Sequence, residues 1–442
     1  MRPISRRSML GGSAALAVAA TLAACSNGSS SGSENGVYLL NFKPEAEEAL
    51  KTIASAYKDK AGVEVKIVTA ASGTYQETLQ TEVAKSNPPT IFNLNGPVGL
   101  ATWKDYALDL SDTEFVKALT DTSMALADEN GVVYGSPLGI EGYGLIYNAA
   151  ILNKYFAMEG AKVKSVDEIK GFAKLKEVVE DMQAKKADLG IEGVFACTSL
   201  ASGEDWRWQT HLANYPVFYE FRDKGVTDAK EVDLTYSDNY KQIFDLYLNN
   251  STVAPSAAAA KTVTDSMADF ALGKCAFVQN GNWAWSQISE VEGNTVAEGD
   301  IHFMPIYIGV SGEEKSGIAL GTENYLAVNS QVSETAQKAS IDFLNWLLTG
   351  EGAKMLVDNS VVSVSPYPAF SELTPADPLG KETAEFLANQ ELYPINWVFQ
   401  TFPSQEFKNQ LGSHLAQYAS GKEDWSAVKE YFVSTWKSEK SA

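Results

Sequence analysis

Apolar and polar positions follow two periods along this chain, and the change of period marks its elements. Val37-Tyr38-Leu39-Leu40-Asn41-Phe42 is a short apolar run that reads as a buried strand. Pro44 then opens a helix in which Ala46, Leu50, Ile53, Ala54 and Tyr57 recur at helical spacing. Glu45, Glu47 and Glu48 fill its first turn, where the helix dipole favours acids, and Gly62 ends it. Val63, Val65 and Ile67 predict a second strand, and Tyr75 to Lys85 a second helix. Pro88-Pro89 breaks that helix, and Thr90-Ile91-Phe92-Asn93-Leu94 predicts a third strand. A β-α-β-α-β run implies a parallel sheet with right-handed crossovers. Farther on, residues 165–185 predict a charged amphipathic helix. Ser333 caps a helix that runs to Leu348 and stops at Gly350, and Trp425 to Trp436 predicts a C-terminal helix. The mixed pattern continues throughout without a tandem repeat. At 442 residues the chain is α/β and suits two lobes joined by several strands.

The start of the chain is different. Arg2, Arg6 and Arg7 precede an uncharged apolar run from Met9 to Ala23, too short to span a bilayer and typical of a secretory signal. It ends in Leu22-Ala23-Ala24-Cys25, which resembles a bacterial lipoprotein box. Residues 1–24 are therefore expected to be a signal peptide. Cys25 is expected to carry lipid, and residues 25–36, rich in Ser and Gly, to form a flexible linker. Ser5-Arg6-Arg7-Ser8-Met9-Leu10 also looks like a twin-arginine signal, so the export route stays open. Removing residues 1–24 takes away three arginines and no acid, moving the formal net charge from −21 to −24. Such acidity argues against nucleic acid and anionic lipid as partners. The expected location is extracytoplasmic, with the membrane touched through the lipid anchor alone. Export permits a disulfide between Cys197 and Cys275, but both lie in apolar, strand-like text, and buried free thiols are the plainer reading. His211, His302 and His414 are scattered, so neither a metal nor a cofactor is expected.

Candidate chemistry gathers in turns. In a parallel sheet, ligands bind beyond the carboxyl ends of the strands. Asn41-Phe42-Lys43, Ala71-Ser72-Gly73-Thr74-Tyr75 and Asn93-Leu94-Asn95-Gly96 all fall there. They offer Asn41, Lys43, Tyr75, Asn93 and Asn95 to a polar, uncharged ligand, although Asn and Gly also make turns for their own sake. Aromatic residues reach 11%, with nine Trp and nineteen Tyr. Three segments set Trp among polar residues: Glu204-Asp205-Trp206-Arg207-Trp208, Asn280-Gly281-Asn282-Trp283-Ala284-Trp285 and Pro394-Ile395-Asn396-Trp397. Sugars present apolar C–H faces that aromatic rings cover and hydroxyl rims that polar side chains bond. An oligosaccharide is the ligand this composition favours.

Four segments resemble the extracellular solute-binding proteins of carbohydrate ABC importers, the maltose-binding-protein-like family. Phe277-Val278-Gln279-Asn280-Gly281-Asn282-Trp283-Ala284-Trp285-Ser286 is similar to the family's Asn-Gly-x-Trp-Ala-Trp-Ser pattern, which implies that Trp283 stacks on sugar. Ser136-Pro137-Leu138-Gly139-Ile140-Glu141 with Leu145-Ile146-Tyr147-Asn148 resembles its hinge strands, which implies that Glu141 bonds sugar hydroxyls. Glu204-Asp205-Trp206 is similar to a ligand segment of the second lobe. Phe343-Leu344-Asn345-Trp346-Leu347-Leu348-Thr349-Gly350-Glu351-Gly352 resembles a helix end that marks the fold. The chain departs from the family at Asn41-Phe42-Lys43-Pro44, where an acid often precedes the Lys, and at Asn95, where Asp is common. Gly321-Thr322-Glu323-Asn324-Tyr325 sets an additional carboxylate, Glu323, and Asn324 at the cleft.

The resemblance implies a two-lobed periplasmic-binding-protein fold, type II-like. Lobe 1 takes residues 37–139 and 325–364, and lobe 2 takes residues 141–320 and 367–442, with hinges near Glu141, Glu323 and Pro366. It also implies a non-enzymatic, monomeric receptor that closes on its ligand and delivers it to permease subunits of an ABC importer. A glycosidase and a receptor for a non-sugar solute are the alternatives. No nucleophile elbow or paired-carboxylate motif supports the first, and no basic ligand cluster supports an anion or iron complex.

Overall fold

The computed structural model describes residues 36–71 and 73–441. The signal segment, Cys25 and the linker up to residue 35 lie outside the described residues, as does Ser72. Strands β1 (Val37–Asn41), β2 (Val65–Thr69) and β3 (Ile91–Asn95) form where the apolar runs predict them, and β1 pairs in parallel with both others. Between β1 and β2 the helix Glu47–Ala61 closes on Gly62, whose φ of 70° suits a residue without Cβ. β4 (Leu126–Ala127) and β5 (Val133–Pro137) follow. The first sheet is not wholly parallel. β10 (Asn324–Val328) returns from far along the chain and lies antiparallel between β3 and β5, giving the order β2-β1-β3-β10-β5-β4.

Both faces of this sheet are covered. Leu39, Ile91, Leu326 and Val328 pack with Phe343 and Leu347 on one side. Leu40, Phe92, Leu94 and Ala327 pack with Tyr75, Leu79 and Trp103 on the other. Burial on both faces is why these strands read as continuous apolar runs rather than alternations. Each fully buried side chain of this size contributes roughly 1.5–3 kcal/mol.

A second sheet holds β6 (Glu141–Asn148), β7 (Phe277–Gly281), β8 (Ile301–Met304), β9 (Ser316–Gly321) and β11 (Tyr393–Asn396). Its order is β11-β9-β6-β7, with β8 also pairing with β6. The chain passes between sheets over short links, at 138–140 between β5 and β6 and at 322–323 between β9 and β10. A further passage lies later than Pro366. Tyr367 and Phe370 still pack in the core of the first sheet, and Leu379 is buried in the core of the second.

The helix expected over 165–185 begins only at Phe172, after a single 3-10 turn at Val166–Glu168 and an interruption at Gly171. The capped helix runs Glu334–Thr349, with Ser333 Oγ accepting from the Ala336 amide at 3.2 Å, and the C-terminal helix is Trp425–Lys440. Cys197 and Cys275 are buried free thiols, and burial pushes the Cys197 thiol up to about 12 and that of Cys275 well above its ordinary value. Among the described residues no helix is long and apolar enough to cross a membrane.

Candidate functional site

Strand ends from both sheets meet at one recess of about 420 Å³. Lys43 and Glu45 reach it just after β1, Glu141 from the first position of β6, and Asn282, Trp283 and Trp285 just after β7. A neighbouring pocket of about 250 Å³ shares Lys43, Glu141 and Asn282 and adds Asn324 and Ser363. Asn282 holds this junction together. Its Oδ1 accepts from the Gly142 amide at 3.0 Å, and its Nδ2 donates to Ser363 Oγ at 3.1 Å.

Lys43 forms an ion pair with Glu141 and lies 3.7 Å from Glu45. Burial alone lowers an ammonium's pKa, but the two carboxylates outweigh it and hold Lys43 above its ordinary value. A second buried cation, Lys408, stands 3.9 Å from Glu323. Burial pulls Lys408 down against the attraction of Glu323, and pushes the Glu323 carboxyl up.

Beside these charges lies an aromatic cluster. The Trp206 and Trp283 rings are 5.9 Å apart at 47°. His211 is stacked on Tyr143 at 4.1 Å and also touches Trp206, Trp283, Trp397 and Phe399. Burial holds its imidazole well below the ordinary pKa, and Arg207 and Lys408 push the same way, so it is neutral. Two glycines let the indoles sit on the second sheet. A Cβ at Gly281 would collide with the six-membered ring of Trp283, and one at Gly321 would stand 2.5 Å from Trp397 Cγ. Trp283 Nε1, Trp397 Nε1, Thr322 Oγ1 and Arg207 Nη1 are buried without a hydrogen-bond partner among the described residues. An unmet buried polar group costs about 1–3 kcal/mol.

The predicted site residues separate into two groups. Lys43, Glu141, Trp283 and Asn324 line the recess, and Trp206, Trp397 and Glu323 stand next to it through the contacts above. The others, Asn396 apart, use their polar groups within the protein. Asn41 brackets its own turn, bonding the Lys43 amide at 3.0 Å and carbonyl at 2.5 Å. Tyr75 is buried, and its hydroxyl accepts from the Asn93 amide at 2.6 Å; the Asn93 side chain donates to Asn324. Asn95 accepts from Gln76 at 3.3 Å, Glu204 accepts from the Val263 amide at 2.8 Å, and Asn280 accepts from Arg207 Nε at 3.1 Å. Asn396 is exposed on β11. Sequence reasoning missed Asn282, Ser363, Arg207 and Lys408. Asn282 and Arg207 lay inside segments already singled out, while Ser363 and Lys408 come from distant helical and loop text with no motif.

A family model described as bacterial extracellular solute-binding protein matches residues 52–383. The chain belongs to that family. No curated protein matches this solute-binding protein at a significant level. Among solved structures its fold is similar to a chitin oligosaccharide binding protein, with 18% identity, a TM-score of 0.71 and coverage of 92% of this chain and 99% of that one. It is also similar to the solute-binding protein RafE in complex with raffinose, at 17% identity and a TM-score of 0.69, covering 92% and 99%. Maltose-bound MalE3 of T. maritima gives 16% identity and a TM-score of 0.67, covering 91% and 99%. The solute-binding fold is thus two-lobed, and its α/β sheets are those described above.

Proposed function

We propose that this solute-binding protein captures an oligosaccharide in the recess between its two sheets and delivers it, without turning it over, to the permease of an ABC importer. The observation that carries this reading is the pairing of the Trp206 and Trp283 rings beside a rim of Lys43, Glu141, Asn282 and Asn324. Indole faces cover the apolar side of a pyranose, and the rim groups donate to and accept from its hydroxyls. Similarity in fold to proteins that bind chitin oligosaccharide, raffinose and maltose supports the same ligand class. Groups from both sheets line the recess, so a ligand that touches both favours the closed form and shifts the population toward it. The working form is a monomer tethered outside the cell through a lipid on Cys25.

A thermal-shift screen of mono- and oligosaccharides tests the reading, with product analysis of the same samples. A saturating ligand raises the melting temperature by mass action, and the sugar is recovered intact. Stabilisation only by peptides or other non-sugars, or hydrolysis of the sugar, overturns it.

A further inference from the structure

Arg207 is 2% exposed, yet among the described residues its guanidinium bonds an amide and an indole face and forms no ion pair. Nε donates to Asn280 Oδ1 at 3.1 Å, and Nη1 is buried with no partner. The guanidinium carbon sits 3.7 Å from the centre of the Trp206 ring, which in turn lies 5.9 Å from the Trp283 ring at the recess. Burial pushes the Arg207 pKa down to about 9, and the carboxylates that feel it, Glu204 and Glu45, are already engaged, by the Val263 amide and by Lys43. A buried charge is ordinarily paired. Lys43 has Glu141 and Lys408 has Glu323; Arg207 alone of the three lacks such a partner at close range. An unpaired buried guanidinium fits an oxygen that only accepts and carries negative charge.

From this we infer that the ligand bears a carboxylate, that of a uronic acid unit, and that Arg207 is the specificity-determining residue that receives it. The inference rests on the carbohydrate reading above. The protein's net charge of −21 repels such a ligand at long range, so the preference arises in the bound contact and not in the encounter.

Calorimetry at physiological salt tests it with di- and trisaccharides of galacturonate, glucuronate and mannuronate, each paired with its methyl ester. The ester keeps the carbonyl, adds one methyl and removes the charge. At least one acid is expected to bind ten-fold or more tightly than its ester. Arg207→Gln should abolish that ratio, weakening the acid at least ten-fold more than its ester, and Arg207→Lys should retain part of it. Equal binding of every acid and ester overturns the inference, as does an Arg207→Gln variant that weakens acid and ester alike, for then Arg207 only props Trp206. If Arg207→Gln fails to fold, the ratio in the unaltered protein still decides. Neutral sugars binding while every acid fails refutes the carboxylate alone; failure of all sugars, with stabilisation by another solute, refutes the carbohydrate reading itself.

Discussion

Lys43 and Glu141 are joined as an ion pair that bridges the turn after β1 in the first sheet and the first residue of β6 in the second. The pair crosses the recess, so it holds the two sheets at their present separation. Glu141→Gln keeps the side chain's size and leaves Lys43 with Glu45 alone at 3.7 Å. The ligand-free variant is expected to have a larger radius of gyration by small-angle scattering than the parent. It should also bind its sugar roughly ten-fold more weakly, the effect of one charge-assisted hydrogen bond of about 1.5 kcal/mol. An unchanged radius and affinity in a folded variant would show the pair to be idle.

Trp283→Ala removes one of the two paired indoles. Hot-spot aromatics of this size carry about 1–3 kcal/mol, so affinity should drop roughly ten- to a hundred-fold. Trp283 is only partly buried, so the melting temperature should change little. Calorimetry with circular dichroism as the folding control reads both.

Gly281→Ala tests the support of that indole rather than the indole itself. The added methyl cannot share space with the Trp283 ring, which must turn away. Binding should weaken although every proposed contact residue is still present. Retained affinity would mean that the ring's resting place on β7 is unimportant.

Asp205, next to Trp206, is buried, and burial pushes its carboxyl pKa up to about 6 from 3.8. The folded protein therefore holds a proton there that the unfolded chain has already lost. Stability is greatest below the lower value and falls as pH rises from about 4 to 6, then levels off. Asp205→Asn should lack this component, so the melting-temperature difference between variant and parent should widen in the variant's favour over that window. A constant difference from pH 4 to 7 would exclude Asp205 as the titrating group.

Mass spectrometry of membrane-extracted protein is expected to find Cys25 as the first residue, with lipid attached. A different first residue without lipid mass would refute the anchor.

Much of the fold was legible because the first sheet is buried on both faces, and apolar runs such as Val37 to Leu40 can hardly be anything but strands. The place of β10 was not, since nothing in Asn324–Val328 itself says that it runs antiparallel between β3 and β5. At the site, motif text located Trp283 and Glu141, each a strand-end residue at the recess. The Asn residues are harder to read from the sequence. Asn41, Asn93 and Asn280 bond their own surroundings, since the same amide that can bond a ligand also satisfies a turn. Lys408 could not be read at all. It lies 85 positions from Glu323 in the chain, and only the packing of the helix Gln405–Ala419 brings them together.

The position of β10 also constrains how the protein is made. It supplies hydrogen bonds to β3 on one side and β5 on the other, so a nascent chain ending before residue 324 lacks the strand that joins them. The first sheet cannot be completed until the ribosome has released nearly three-quarters of the polypeptide. Throughout that interval the nascent chain has no finished first sheet.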